Sequence, residues 1–126
     1  MERGPVIVAG IGLRASATLD GLRAGLALIG GMRLSALATA EDKADHPALR
    51  TLAGELDLPL IAVPLAALRL QTCATTTENQ PDRYGTGSVA EASALAACGP
   101  GARLVRARQI APGGLATMAL AEGTDP

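Results

Sequence analysis

Aromatic residues are almost absent from this sequence, which holds one tyrosine and neither phenylalanine nor tryptophan. Proteins that bind single-stranded nucleic acids stack the bases on aromatic side chains, so the composition argues against such a platform. Basic residues do not cluster along the chain, and the formal net charge is only -1 at pH 7. We therefore expect neither a nucleic acid nor a membrane surface as a partner.

Cysteine and histidine are also scarce. Cys73 and Cys98 lie far apart without CxxC spacing, which is typical of reduced thiols. A zinc site would need both cysteines, His46 and a fourth ligand, so we predict no metal site and no cofactor. No apolar run is long enough for a membrane span, and the N-terminus lacks the apolar core of a signal peptide. These features favour a cytoplasmic protein.

The residues that are present suit one α/β domain, which we place at 1–126. Apolar runs predict buried strands, and alternation of polar and apolar residues predicts a terminal hairpin. The predicted strands are 5–9, 34–38, 58–63, 103–108 and 115–120, with a frayed tail from 123 onwards. Helical periodicity lies between them, with Ser16 and Asp45 as predicted N-caps. This order predicts a three-layer α/β/α fold with a mixed, mostly parallel sheet of about five strands that ends in a β-hairpin.

Two glycines follow the first predicted strand. Gly10 and Gly12 predict a tight turn at the carboxyl end of that strand, where open α/β sheets bind ligands, and Arg14 comes directly after them. The pattern is similar to a dinucleotide-binding turn but lacks its third glycine and the later acidic residue. A nucleotide-binding module is therefore an alternative function.

A second glycine-rich turn runs straight into a helix predicted over 89–97. Ser88 is the expected N-cap, and Glu91 has the position that completes a capping box. The first-turn amides of such a helix have no intrahelical partner and carry partial positive charge, which suits a carboxylate or a phosphate. A capping box that serves only its helix is the simpler interpretation.

Three polar turns, at 10–14, 39–43 and 83–88, bring cations towards these glycines. We predict that they meet and bind an anion, such as a ligand with several carboxylates, because guanidinium and ammonium groups pair with carboxylates. The predicted ligand-binding residues are Gly10, Gly12, Arg14, Lys43, Arg83, Gly85, Thr86, Gly87 and Ser88. The aperiodic segment 71–86 is either a lid over this site or a surface insertion.

Catalytic residues are harder to assign from the sequence. No GxSxG motif is present, and His46 has no evident serine or cysteine partner. Glu41, Asp42, Glu78 and Glu91 have the chemistry of a general acid or base, but nothing in the pattern selects among them. Arg106 and Arg108 are interpreted as part of a solvated strand face. Enzymatic activity therefore stays undecided at this level.

Four stretches carry a family resemblance: GIGLR at 10–14, LATAEDK at 37–43, Leu58-Pro59, and GTGSVAEASALA at 85–96. In this order, and across 6–121, they resemble the cobalamin-biosynthesis family formed by the stand-alone protein CobE and the C-terminal domain of CbiG. The resemblance implies a three-layer α/β/α domain of the corrin-ring pathway, most similar to the stand-alone form.

The same resemblance implies two functions. One is an accessory protein that binds a precorrin-type polycarboxylate tetrapyrrole, with other corrin-pathway enzymes as candidate partners. The other is a CbiG-like hydrolase, which opens the lactone of a cobalt-precorrin and releases a two-carbon fragment. Family members often have cysteine where this chain has Leu13, so thiol chemistry at that position is not essential here.

Overall fold

The structure is a computed structural model, and it describes residues 5–30, 33–71 and 88–124. Within these ranges there are five strands, four α-helices and one short 3-10 helix at Glu41–Lys43. The strands are β1 (Pro5–Leu13), β2 (Ala36–Ala40), β3 (Leu60–Val63), β4 (Arg103–Ile110) and β5 (Ala116–Thr124). The helices are α1 (Leu19–Ile29), α2 (Pro47–Leu56), α3 (Leu65–Arg69) and α4 (Val89–Cys98). No helix in this part of the chain is long and apolar enough to cross a membrane.

One sheet holds all five strands in the order β3-β2-β1-β5-β4. β1 pairs in parallel with β2, and β2 in parallel with β3. β5 runs antiparallel to both of its neighbours, β1 and β4. Four strands therefore point one way and only β5 points the other, which confirms the mixed, mostly parallel sheet that ends in a hairpin.

Helices cover both faces of the sheet. On one face, Leu22 of α1 and Leu49 of α2 pack in a buried cluster with Ile11 of β1. On the other face, Leu68 of α3 and Val89 of α4 pack with the alternate strand residues in a second cluster. These two apolar layers confirm the three-layer α/β/α architecture.

Helix α4 lies against β1 at unusually short range because both elements present small residues. A Cβ on Gly10 would overlap the carbonyl oxygen of Ala90, and a Cβ on Gly123 would lie 2.9 Å from the carbonyl oxygen of Cys98. Gly123 pairs with Val6 near the start of β1, so α4 runs antiparallel to that strand. Its first turn therefore lies at the carboxyl end of β1.

The predicted glycine turn at 10–14 is wrong, because β1 continues through Gly10 and Gly12 to Leu13. β5 pairs with β1 along its whole length, from Pro5 opposite Thr124 to Leu13 opposite Ala116. Pairing with β5 thus extends β1 beyond its short apolar run. The same pairing extends β5 to Thr124, where the sequence predicts a frayed tail. Glycines inside a paired strand do not form the turn that a dinucleotide site requires.

Helix caps differ from the prediction by one or two residues. Thr18, not Ser16, caps α1, and its hydroxyl accepts a hydrogen bond from the Gly21 N–H. His46, not Asp45, caps α2. β2 is also shifted by two residues from the predicted 34–38. Neighbouring polar residues compete for each cap, so local sequence alone does not separate them.

Candidate functional site

The carboxyl ends of the three parallel strands lie along one side of the sheet, which we call the carboxyl edge. Arg14 follows the last residue of β1, the 3-10 helix follows β2, and the first turn of α4 lies beside Gly12. The structure therefore brings three of the predicted residues, Arg14, Lys43 and Ser88, to the same edge. Whether they bind a ligand stays a prediction.

The start of α4 is capped as predicted. The Ser88 hydroxyl accepts a 3.2 Å hydrogen bond from the Glu91 N–H, and both residues are buried. Glu91 also has a partner that the local pattern does not reveal, because its Oε2 accepts a 2.8 Å hydrogen bond from the Arg108 N–H. Ser88 thus caps the first turn of α4, and Glu91 connects that turn to the edge strand β4.

Among the described residues, the two cations at the carboxyl edge have no acidic partner. Arg14 is exposed, and its main-chain N–H donates to the Leu115 carbonyl oxygen at 2.9 Å. Across residues 5–30, 33–71 and 88–124, neither the Arg14 guanidinium nor the Lys43 ammonium forms an ion pair. The nearby Glu41 carboxylate accepts a 2.7 Å hydrogen bond from the Leu65 N–H at the start of α3. Arg14 and Lys43 are therefore available to an anionic ligand.

Both ring nitrogens of His46 form hydrogen bonds with the main chain. Its Nδ1 accepts a 3.2 Å hydrogen bond from the Ala48 N–H, and its Nε2 lies 2.9 Å from the Ala15 carbonyl oxygen. An accepting Nδ1 and an oxygen acceptor beside Nε2 are the hydrogen-bond pattern of the Nε2–H tautomer. The ring connects the N-cap of α2 to the loop after β1. Among the described residues, no group of three His, Cys, Asp or Glu side chains could hold a metal ion.

Two threonines at the carboxyl edge have roles that the sequence did not predict: Thr117 was not considered, and Thr39, which was predicted to begin a polar turn, is a buried residue of β2. The Thr39 hydroxyl donates a 2.7 Å hydrogen bond to the Ile11 carbonyl oxygen and so continues the contact between β1 and β2. The Thr117 hydroxyl lies 2.8 Å from the position of a Cβ on Gly12, its partner across β1 and β5. Only the strand register reveals these positions, because alternation alone predicts a face and not a partner.

The remaining predicted site residues divide into two groups. Gly10 and Gly12 lie under α4, where the lack of a Cβ permits close packing. Arg83, Gly85, Thr86 and Gly87 lie outside the described residues, as does Cys73. The part of the predicted site that these four residues would form stays a prediction.

Cys98 is at the far end of α4 from the carboxyl edge. Its Sγ lies 4.0 Å from the Val6 carbonyl oxygen. Burial raises the pKa of this thiol above its usual range, so the neutral form is favoured at neutral pH. A protonated thiol at the opposite end of the helix takes no part in the candidate site.

The structure is thus an α/β domain in which Arg14, Lys43 and the start of α4 lie at the carboxyl edge of the sheet. Among the described residues, neither cation forms an ion pair. Residues 7–121 match the family model described as "Cobalamin synthesis G C-terminus". Because the match extends over most of the sequence, the chain belongs to this family of cobalamin biosynthesis proteins. A comparison with curated proteins finds no match.

Solved structures agree with this assignment. CobE, a protein from the cobalamin (vitamin B12) biosynthetic pathway, is 32% identical, with 100% of this chain and 96% of that chain covered and a TM-score of 0.83. Cobalamin biosynthesis protein ChiG from Agrobacterium tumefaciens str. C58 is 38% identical, with 95% and 100% covered and a TM-score of 0.73. A protein described as a cobalamin biosynthesis protein G homologue, from Sulfolobus solfataricus, is 19% identical and shares the fold, with 95% and 37% covered and a TM-score of 0.68.

Proposed function

We propose that this protein acts in the corrin-ring pathway as an accessory protein that binds a precorrin-type, polycarboxylate tetrapyrrole at the carboxyl edge. Family membership supports the pathway. The observation that supports the binding mode is the pair of unpaired cations, Arg14 and Lys43, at the same edge as the first turn of α4.

The charges suit the rim of such a ligand. A precorrin is a macrocycle bordered by acetate and propionate carboxylates, and a guanidinium can pair with one carboxylate through two parallel hydrogen bonds. Lys43, the sole lysine of the chain, supplies a compact second charge at the end of the 3-10 helix. The Glu41 carboxylate is held at the start of α3, where it accepts from the Leu65 N–H.

The face of the macrocycle needs apolar contacts, and this chain has no aromatic platform to offer. Ile110 at the end of β4 is 58% exposed, which is unusual for a β-branched residue in a paired strand. It pairs with Thr117, which in turn pairs with Gly12 beside the start of α4. Ile110 thus offers one exposed aliphatic side chain at the carboxyl edge.

Absorbance titration tests the proposal. Hydrogenobyrinic acid, a corrin that retains its carboxylates, is added to the purified protein, and its visible spectrum is followed. We expect saturable binding that weakens about tenfold in Arg14→Gln, since one charge-assisted pair is lost. Arg33→Gln is the matched control, because Arg33 is an exposed arginine before β2, at the opposite edge of the sheet. Absence of binding at high-micromolar ligand overturns the proposal.

A further inference from the structure

Arg108 differs from the other two arginines of β4. Arg103 pairs with Glu122 at 2.9 Å, and Arg106 is exposed. Arg108 is partly buried, yet its guanidinium forms no ion pair with any residue in the described part of the chain. Because no carboxylate of the described residues pairs with this guanidinium, it can pair with an anionic ligand.

The main chain of Arg108 is held in place by a buried carboxylate. The register of β4 against β5 shifts between Arg106 and Gln109, and the Arg108 N–H donates to Glu91 at 2.8 Å. Glu91 is 0% exposed and belongs to the first turn of α4. Irregularities of this kind redirect a side chain, and they occur often beside functional sites.

The contact with Glu91 and the register of the following residues indicate the side of the sheet on which Arg108 lies. Ile110 pairs with Thr117, and Thr117 pairs with Gly12, whose Cβ position lies 3.6 Å from the Val89 Cβ in α4. Regular pairing resumes at Gln109 and Ile110, and the Arg108 N–H contacts Glu91 of α4. Alternation back from Ile110, together with this contact, indicates that Arg108 lies on the same side of the sheet as the first turn of α4.

We propose that Arg108 is a third cation of the ligand site, where it pairs with a second carboxylate of the bound polyacid on the β4 side of α4. The inference rests on the proposed function and adds a specificity residue to it. Arg14 and Lys43 bind from the β1 and β2 side, and Arg108 binds from the opposite side of the α4 N-terminus. A ligand that reaches all three must carry carboxylates on separate parts of its rim, as a macrocyclic polyacid does.

The test compares substitutions at two arginines of the same strand. Arg108→Gln is titrated with hydrogenobyrinic acid beside Arg106→Gln, which removes the same charge from a residue that pairs with Leu120, a member of the core on the α1 side. We expect about a tenfold rise in Kd for Arg108→Gln and no more than about a twofold rise for Arg106→Gln. Arg108→Lys keeps the charge but loses the bidentate geometry, so we expect an intermediate Kd.

The outcomes separate the two proposals. If the unmodified protein binds and Arg108→Gln matches Arg106→Gln, Arg108 is not a ligand residue while the proposed function stands. If the unmodified protein does not bind, both proposals are wrong. Circular dichroism melts of each variant establish folding, and if Arg108→Gln does not fold, Arg108→Lys decides: a Kd equal to that of the unmodified protein overturns the assignment.

Discussion

Gly10 of β1 lies directly beneath Ala90 of α4, so closely that a Cβ on the glycine would overlap the Ala90 carbonyl oxygen and lie 2.6 Å from the Ala94 amide nitrogen. Both contacts are with main-chain atoms, which cannot move aside like the end of a flexible side chain. We expect Gly10→Ala to lower the free energy of unfolding by about 3 kcal/mol, because the helix must move away from the sheet. Chemical denaturation measures this loss.

Gly54→Ala is the control for that substitution. Gly54 lies in α2, and a Cβ there would meet nothing within 4 Å. Alanine favours the helix over glycine, so Gly54→Ala should raise the free energy of unfolding by about 0.5 to 1 kcal/mol. An unchanged stability for Gly10→Ala would contradict the close packing of α4 on β1.

The hydrogen bond from the Arg108 N–H to Glu91 predicts a second effect on stability. Glu91→Ala removes the acceptor and leaves this main-chain donor without its partner, so we expect a loss of about 1 to 3 kcal/mol. Glu91→Gln keeps an oxygen acceptor and should lose less. Amide hydrogen exchange at Arg108 is the direct measurement, and its protection should fall in Glu91→Ala but largely persist in Glu91→Gln.

The order of strands and helices is predictable here because apolar runs and helical periodicity are local properties. The length of β1 is not, because it depends on pairing with β5, more than a hundred residues later in the sequence. Because of that pairing, Gly10 and Gly12 lie within a strand and not in the predicted turn. The same limit explains the roles of these glycines, since only the packed structure shows that α4 fills the space where their side chains would be.

The residues of the candidate site also divide into those whose positions follow from local sequence and those whose positions depend on distant pairing. Arg14, Lys43 and Ser88 could be placed at one edge from sequence, because each follows a strand or precedes a helix in a parallel α/β order. Arg108 and Thr117 could not, since their positions depend on the register of the hairpin and on the irregularity in β4. Alternation indicated only that Arg108 belongs to a strand face, and a buried Glu91 seventeen positions away determines how it is held.

The ion pair between Arg23 of α1 and Glu55 of α2 predicts that the stability of the fold depends on pH. The Arg23 Nε donates to Glu55 at 3.1 Å, and this hydrogen bond lowers the pKa of the Glu55 carboxyl below its ordinary value of 4.5. A carboxyl with a lowered folded pKa stabilises the protein above its unfolded pKa, and the contribution disappears as the pH falls through the folded pKa. We therefore expect the Tm difference between the unmodified protein and Glu55→Gln to be present at pH 6 and to vanish in acid below the folded pKa.

Salt provides the control for the Glu55 prediction. Both side chains are exposed, so the contribution is small and should shrink further as ionic strength rises. Arg50→Gln, which disrupts the exposed pair between Arg50 of α2 and Asp45 before that helix, serves as the comparison, because it leaves Glu55 unaltered. A Tm difference for Glu55→Gln that persists unchanged into strong acid would contradict the assignment.

The His46 ring predicts a final substitution series. His46→Ala removes both the cap of α2 and the hydrogen bond to the Ala15 carbonyl oxygen, so we expect a loss of about 1 to 2 kcal/mol in the free energy of unfolding. His46→Asn should recover part of that loss, because asparagine is a favoured N-cap and its side-chain oxygen can accept from the Ala48 N–H. Nitrogen NMR of the ring tests the tautomer directly: a proton on Nε2 and none on Nδ1 is expected. The reverse assignment, or equal stabilities for the two variants, would show that His46 does not cap α2.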